Sequence, residues 1–182
     1  MRTSRLANPQ FVQIMPTLEN YLESNANRFE DELCDFLRIA SVSADPNRKG
    51  EMVRAAQWVA GQLRTLNFTV EIIPTSGNPL VYAQSPQIPN APTVLVYGHY
   101  DVQPAEPLEK WTTPPFEPVK RDGKLFARGA TDDKGQLMTF LEASRAWLSQ
   151  VGSLPFRLTI MLEGDEEGDS THIDRFLALN AR

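Results

Sequence analysis

A run of five β-prone residues at 93–97 constrains the fold of this chain more than any other feature. The run reads Thr-Val-Leu-Val-Tyr and stops at Gly98, which is typical of a strand buried on both faces of a parallel sheet. Leucines at helical spacing follow over 133–149, and apolar alternation over 156–162 predicts a second strand. A strand, a helix and a strand within about 70 residues indicate a parallel crossover unit. We therefore predict an α/β fold with a mostly parallel sheet flanked by helices.

Shorter periodic segments supply the other predicted elements. Apolar residues at helical spacing predict amphipathic helices over 26–40 and 52–66. Alternation and a short apolar run predict strands over 68–72 and 80–83. The triplet Arg-Asp-Gly at 121–123 lies between two short apolar pairs, and it predicts a hairpin turn because glycine adopts positive φ easily.

Composition and charge limit the kinds of binding partner and the cellular location that are expected for this protein. The 182 residues carry 18 Lys and Arg against 23 Asp and Glu, a net charge of −5, which gives no electrostatic grip on nucleic acid. The sequence has no run of about 18 apolar residues, so no membrane span is expected. Cys34 is the only cysteine, and residues 1–5 lack the apolar core of a secretory signal. A reducing, cytoplasmic location is therefore expected.

The negative charge is concentrated in one segment, 163–169, which reads Glu-Gly-Asp-Glu-Glu-Gly-Asp. Outside its five carboxylates the chain has 18 acidic and 18 basic residues, so this segment accounts for the whole net charge. Crowded carboxylates repel one another. A bound metal ion would relieve that repulsion, and exposure to bulk water is the alternative.

Three polar clusters fall at one edge of the predicted sheet. His99 and Asp101 follow the first strand, Asp132 opens the crossover helix, and Glu166 and Glu167 follow the second strand. Ligands of open parallel sheets bind beyond the carboxyl ends of the strands. Taken singly, each cluster has an ordinary interpretation as a surface histidine, a helix cap or a solvated loop. Their convergence favours a site for zinc, manganese or another borderline divalent ion, because histidine and carboxylates are present without thiolates.

The residue types allow the roles of metal ligand, orienting group and general base to be assigned in several ways within such a site. In extended backbone the side chains of His99 and Asp101 lie on the same face of the strand. One of the two residues can therefore bind the metal while the other orients the metal-binding side chain. Asp132 has two oxygens and can bridge two ions about 3.5–4 Å apart. Glu166 and Glu167 point in different directions, so one can ligate while its neighbour acts as a general base.

Three segments together resemble the motifs of the co-catalytic zinc peptidases. The segments are 96–104 (Val-Tyr-Gly-His-Tyr-Asp-Val-Gln-Pro), 125–135 (Leu-Phe-Ala-Arg-Gly-Ala-Thr-Asp-Asp-Lys-Gly) and 163–167 (Glu-Gly-Asp-Glu-Glu). That family includes aminoacylase, glutamate carboxypeptidase and succinyl-diaminopimelate desuccinylase. The sequences Tyr-Asp-Val-Gln-Pro and Asp-Asp-Lys-Gly most resemble the corresponding motifs of the cytosolic non-specific, carnosinase-like dipeptidases.

The resemblance implies roles for the site residues and a reaction. His99 would bind one metal, Asp132 would bridge two, and Glu167 would bind the other. Asp101 would tune the site beside His99. Glu166 would be the general base that takes a proton from the attacking water and passes it to the leaving amine. The implied cofactors are two divalent ions, zinc or alternatively manganese, and the implied substrate is a dipeptide.

The resemblance also implies that the family fold is incomplete here. Family members are far longer, so residues 1–182 are expected to be the N-terminal portion of the catalytic domain, without the lid and dimerisation domain and without the C-terminal part. The full-length form would be a homodimer. Each metal would have only two of its usual protein ligands, so we expect weak metal binding and little or no activity from the chain alone. A cis peptide bond between Asp132 and Asp133 is a further family feature.

The same residues leave two other classes of function open. A non-catalytic remnant or interaction module would keep the fold without the chemistry. A carboxylate-rich binding protein for calcium is the other alternative. His99 argues against calcium, because that ion prefers oxygen ligands throughout.

Overall fold

The structure, a computed structural model, describes residues 9–180, in which two helices precede five strands and a helix–strand–helix unit follows. The α-helices of this part are α1 (Pro9–Leu37), α2 (Lys49–Thr65), α3 (Lys134–Val151) and α4 (Thr171–Asn180). Its β-strands are β1 (Thr69–Ile73), β2 (Leu80–Gln84), β3 (Thr93–His99), β4 (Val119–Arg121), β5 (Lys124–Phe126) and β6 (Arg157–Glu163). None of the helices in this part has the length and apolar character that a membrane crossing requires.

Four of the strands form one sheet in the order β1-β2-β6-β3. β1 and β2 are antiparallel, as are β2 and β6, whereas β3 and β6 are parallel and α3 connects them. The α/β class and the parallel crossover unit are therefore confirmed. The sheet is mixed instead of mostly parallel, because the connection 74–79 between β1 and β2 is too short for a crossover of about a dozen residues.

β3 lies at an edge of this sheet and not in its interior. β6 flanks it on one side, and no strand among residues 9–180 pairs with its other side. Val94, Leu95 and Tyr97 are 39%, 59% and 51% exposed. The prediction that 93–97 is buried on both faces is therefore wrong for the described residues. An apolar run indicates that a strand suits apolar neighbours, but it does not specify which segment supplies them.

The other predicted elements agree with the structure except at the start of α1. α2, β1, β2, α3 and β6 occupy the segments predicted for them, and the β4–β5 hairpin turns through Asp122 and Gly123 at φ 49° and 72°. α1 begins at Pro9 instead of near residue 26 and contains Pro16. The buried stripe that reveals an amphipathic helix is weak before residue 26, because most described side chains there are exposed.

The core lies between the sheet and the first three helices. Its buried members include Phe36, Met52, Val59, Leu63, Leu137, Leu141, Leu158, Ile160 and Leu162. Phe36 near the end of α1 stacks on Trp58 of α2, with ring centroids 4.4 Å apart and planes 7° apart. α1 also packs along α3. These contacts fix the end of α1 and the start of α3 against the carboxyl ends of β3 and β6.

Ser41 ties the segment after α1 to the end of β3. It is fully buried, its Oγ donates to the Tyr100 carbonyl at 2.7 Å, and its own carbonyl accepts from the Val102 N–H at 2.9 Å. We expect Ser41→Ala to lower the free energy of unfolding by about 1–2 kcal/mol, because the buried carbonyl of Tyr100 loses this donor. Urea unfolding followed by circular dichroism measures the change.

Ser43→Ala is the matched control for that variant. The Ser43 Oγ is buried and has no hydrogen-bond partner among the described residues. Its removal is therefore expected to leave the free energy of unfolding nearly unchanged. Equal losses in the two variants would contradict the role given to the Ser41 hydroxyl.

Candidate active site

Three chain segments meet where β3 and β6 end. His99 is the last residue of β3 and lies in register beside Glu163, the last residue of β6. Asp132 precedes α3, and Glu167 lies in the loop after β6. One ligand atom from each of His99, Asp132 and Glu167 lies within 4.8 Å of the other two. The parallel pairing of β3 with β6 thus brings together side chains that are 68 positions apart in the sequence, His99 and Glu167.

His99 presents one ring nitrogen to the carboxylates and the other to Asp101. The residue is 6% exposed. Its Nδ1 lies 3.2 Å from the Asp101 carbonyl oxygen and 3.3 Å from the Asp101 Oδ1. Its Nε2 lies 3.0 Å from the Asp132 Oδ1 and 3.8 Å from the Glu166 Oε2. Nε2 is therefore the atom that faces a ligand.

Asp101 joins the first polar segment to the acidic loop. Its side chain is fully buried. While Oδ1 contacts the His99 ring, Oδ2 accepts a hydrogen bond from the Glu167 backbone N–H at 3.0 Å. The carbonyl and carboxylate of Asp101 thereby orient the imidazole, and the carboxylate also sets the position of the Glu167 backbone.

Charges around His99 favour its protonated form. Burial lowers the pKa of His99, but the hydrogen bond and charge of Asp101, with the charges of Asp133 and Glu166, outweigh burial and raise that pKa to about 9. A proton on the ring therefore competes with a metal ion at neutral pH.

The segment between Asp132 and α3 is closely packed against β3. The expected cis peptide bond between Asp132 and Asp133 is present. The Asp133 Oδ2 accepts from the His99 backbone N–H at 3.2 Å. At Gly98 a Cβ atom would lie 2.8 Å from the Asp133 Oδ2, so only glycine lets that carboxylate approach β3. Burial raises the pKa of Asp133, although the His99 N–H and charge oppose it.

Lys134 anchors the start of α3 to the end of α1. It is fully buried, and its Nζ donates to the Phe36 carbonyl at 3.0 Å and to the Ile39 carbonyl at 2.6 Å. The same Nζ lies 4.6 Å from the centroid of the Phe36 ring. Burial lowers the pKa of Lys134 to about 7. This lysine lies two positions after Asp132 and is not among the site residues predicted from the sequence.

The acidic segment divides between the site and the protein scaffold. Glu163 is 3% exposed and accepts a hydrogen bond from the Tyr97 hydroxyl, and burial raises its pKa. The Asp165 side chain accepts hydrogen bonds from Asn78, and the Asp169 Oδ1 accepts from the Thr171 N–H at the start of α4. Two of the five carboxylates remain near His99, those of Glu166 and Glu167. Part of the expected repulsion is thus relieved by hydrogen bonds within the protein.

Glu166 and Glu167 differ in their surroundings. The Glu166 side chain is 41% exposed. Glu167 is half-buried, and its Oε2 accepts from the Gln103 Nε2 at 2.6 Å. Gln103 belongs to the first motif, and its hydrogen bond limits the movement of the Glu167 carboxylate. It was not predicted as a site residue. The more exposed acid, Glu166, is therefore the one with direct access from solvent.

The donor atoms of this site fit a borderline divalent ion. An imidazole nitrogen and carboxylate oxygens converge without a thiolate, which suits zinc or manganese. The ammonium group of Lys134 does not neutralise these carboxylates through an ion pair, since its hydrogen bonds go to carbonyls of the Phe36–Ile39 segment. The arrangement can hold a cation between side chains from all three motifs.

The chain resembles known peptidases in sequence. The sequence profile of Peptidase family M20/M25/M40 matches residues 95–179. The Beta-Ala-His dipeptidase of Rattus norvegicus is 28% identical over 94% of this chain and 38% of that protein. The Cys-Gly metallodipeptidase of Candida albicans is 33% identical over 88% of this chain and 36% of that protein. The chain therefore spans little more than a third of the length of these relatives.

The fold resembles a solved structure of the same kind. The crystal structure of human carnosine dipeptidase 1 superposes with a TM-score of 0.83 at 28% identity, over 90% of this chain and 37% of that chain. The three motifs, the arrangement of the strands and these relatives agree with one another. The chain is therefore similar to Peptidase family M20/M25/M40.

Proposed function

We propose that this chain carries the metal-binding part of a metallopeptidase that hydrolyses the peptide bond of dipeptides. The observation that carries the proposal is the meeting of His99, Asp132 and Glu167 within 4.8 Å, with Glu166 beside them. The dipeptidases among the relatives support the substrate class. A reducing, cytoplasmic location belongs to the proposal and is supported by the single cysteine of the chain.

The proposed metal ligands form two pairs that share one carboxylate. His99 and Asp132 would hold one divalent ion, and Asp132 and Glu167 would hold the other, with zinc or manganese as the ion. Bound ions would polarise the substrate carbonyl and lower the pKa of a water molecule. Asp101 keeps Nδ1 of His99 occupied, so that Nε2 stays available. The shared position of Asp132 makes it the residue on which both pairs depend.

Glu166 is the proposed general base. Its carboxylate is exposed and close to the ligand group, with Oε2 3.8 Å from the His99 Nε2. A carboxylate oxygen there can accept the proton of an attacking water and then donate it to the leaving amine nitrogen. Glu167, whose Oε2 is bonded to Gln103, is less free to move a proton between two partners. The two neighbouring acids thus have separate proposed tasks.

Residues 1–182 are proposed to be the N-terminal portion of the catalytic domain. The chain covers little more than a third of the length of each relative, which supports this assignment. Two protein ligands for each ion are fewer than the three or four that zinc sites normally have. We therefore propose weak metal binding and little hydrolysis by these residues alone. A lid and dimerisation domain and a homodimeric state belong to the proposed full-length form.

Zinc titration calorimetry combined with a dipeptide hydrolysis assay tests this function on the 182-residue protein. We expect zinc to bind, and we expect hydrolysis of β-alanyl-histidine or cysteinyl-glycine to be much slower than with the Candida albicans relative. Glu166→Gln should keep zinc binding and reduce the residual hydrolysis to that of zinc alone, because the proton acceptor is lost. Absence of zinc binding, or hydrolysis above that of zinc alone that is equal in Glu166→Gln, would contradict the proposed function. Hydrolysis as fast as that of the relative would contradict the proposed incompleteness.

A further inference from the structure

The connection between β1 and β2 reaches across to the acidic loop that carries Glu166 and Glu167. Asn78 in this connection makes three hydrogen bonds to the loop. Its backbone N–H donates to the Asp165 Oδ2 at 2.8 Å, and its Nδ2 donates to the Asp165 Oδ1 at 2.5 Å and to the Gly164 carbonyl at 2.9 Å. The Asp165 carboxylate is thus held at both oxygens by one residue.

The connection is built to present Asn78 in this position. The Thr75 Oγ1 accepts from the Gly77 N–H at 3.0 Å and donates to the Asn78 carbonyl at 2.7 Å, which closes a tight turn. Gly77 lies so close to the loop that a Cβ atom would stand 2.6 Å from the Asp165 Oδ2 and would collide with the His172 ring. The turn and the loop therefore pack directly against each other.

The acidic loop is fixed on both sides of Glu166. On one side Asp165 is bound to Asn78, and on the other the Glu167 N–H donates to the Asp101 Oδ2 at 3.0 Å. The Asp165 carbonyl also accepts from the Gly168 N–H at 3.0 Å, which closes the loop on itself. A shift of Asp165 would consequently move the backbone that carries both glutamates.

We propose that Asn78 is a positioning residue that keeps Glu166 and Glu167 facing His99. The inference deepens the proposed function and rests on it for the identity of the site. An amide is required, because one Nδ2 group serves two acceptors beside a carboxylate. An aspartate at this position would place a second negative charge against Asp165 and would lack both donors. Asn78 acts through the loop and touches none of the proposed ligand atoms.

The test compares four variants of the 182-residue protein. Asn78→Asp removes both side-chain donors, and the double variant Asn78→Asp with Asp165→Asn restores an amide–carboxylate pair in the reverse order. Ser76→Ala is the matched control in the same turn, because the Ser76 Oγ contacts the His172 Nδ1 at 2.8 Å and reaches the acidic loop only through the His172 ring, whose Nε2 lies 4.0 Å from the Asp165 Oδ2. Asn78→Ala removes the donors without adding charge and covers the case in which Asn78→Asp does not fold.

Three readouts are recorded for each variant. Zinc affinity is measured by competition with a chromophoric chelator, the ligand geometry by the visible spectrum of bound Co²⁺, and the loop by amide hydrogen exchange over 164–168 without metal. We expect Asn78→Asp to lower the zinc affinity about tenfold or more, to change the Co²⁺ spectrum and to speed loop exchange. The reversed pair should recover part of each effect, and Ser76→Ala should resemble the wild type.

Two results would overturn the inference. One is a lower melting temperature for Asn78→Asp and Asn78→Ala with unchanged zinc affinity, Co²⁺ spectrum and loop exchange, since Asn78 would then only stabilise the fold. The other is an equal effect of Ser76→Ala. If the wild type binds no metal, the proposed function fails, and metal-free exchange over 164–168 still decides whether Asn78 holds the loop.

Discussion

Replacement of Asp132 by alanine is expected to lower the zinc affinity of this protein at least about a hundredfold. The Asp132 Oδ1 lies 3.0 Å from the His99 Nε2, and the same residue belongs to the group that includes Glu167. Its carboxylate is shared by both proposed ligand pairs, so its loss leaves each ion with a single protein ligand. Competition against a chromophoric chelator at constant ionic strength measures the affinity.

Asp169→Ala is the matched control, because it removes the same charge from the acidic segment. The Asp169 Oδ1 accepts from the Thr171 N–H and serves the start of α4 instead of the site. We expect this variant to bind zinc within about twofold of the wild type, since a distant surface charge acts weakly through water. Similar losses in the two variants would mean that the acidic surface attracts zinc without a defined site.

Zinc affinity is also expected to rise with pH, by about tenfold from pH 7 to pH 8 and by about fiftyfold in total from pH 7 to pH 9. The reason is the His99 pKa of about 9, because the ring must lose its proton before Nε2 can bind a metal. Below that pKa one proton is released for each imidazole that binds zinc, and above it none is released, so the rise levels off. Calorimetry in buffers of different ionisation enthalpy counts the released proton directly.

Asp101→Asn distinguishes this explanation from a general effect of pH. Burial lowers the pKa of His99, and Asp101 is the first of the groups that raise it. Loss of the Asp101 charge should therefore shift the pH at which the zinc affinity levels off toward the ordinary histidine pKa of about 6.5. A zinc affinity that does not change between pH 7 and pH 9 would contradict the assignment of His99. A levelling point that is the same in Asp101→Asn would contradict the role of Asp101.

The sequence predicted that His99, Asp132 and Glu167 lie close together, because their positions follow from topology. Polar residues that end parallel strands must meet at one edge of a sheet, so the approach of His99 to Glu167 needed only the strand–helix–strand order. The general arrangement of α2, α3, β1, β2 and β6 followed from apolar periodicity. Both inferences use information that is local in the sequence.

The features that the sequence did not predict are contacts between common residue types far apart in the chain. Lys134 reaches carbonyls near the end of α1, Asn78 reaches the acidic loop, and Gln103 reaches Glu167. Nothing in the identity of a lysine, an asparagine or a glutamine specifies a partner more than sixty positions away. The sequence did not predict the exposed edge of β3 either, because an apolar run does not specify which segments pack against it.

The pairing of β3 with β6 also sets the order in which the protein can acquire its site. Closing the long loop between these strands is entropically unfavourable, and contacts of such high sequence separation slow folding. His99 and Glu167 cannot approach each other before this closure is complete. A metal ion present during refolding would therefore select the finished native state by mass action, and it would leave the rate of the early steps unchanged.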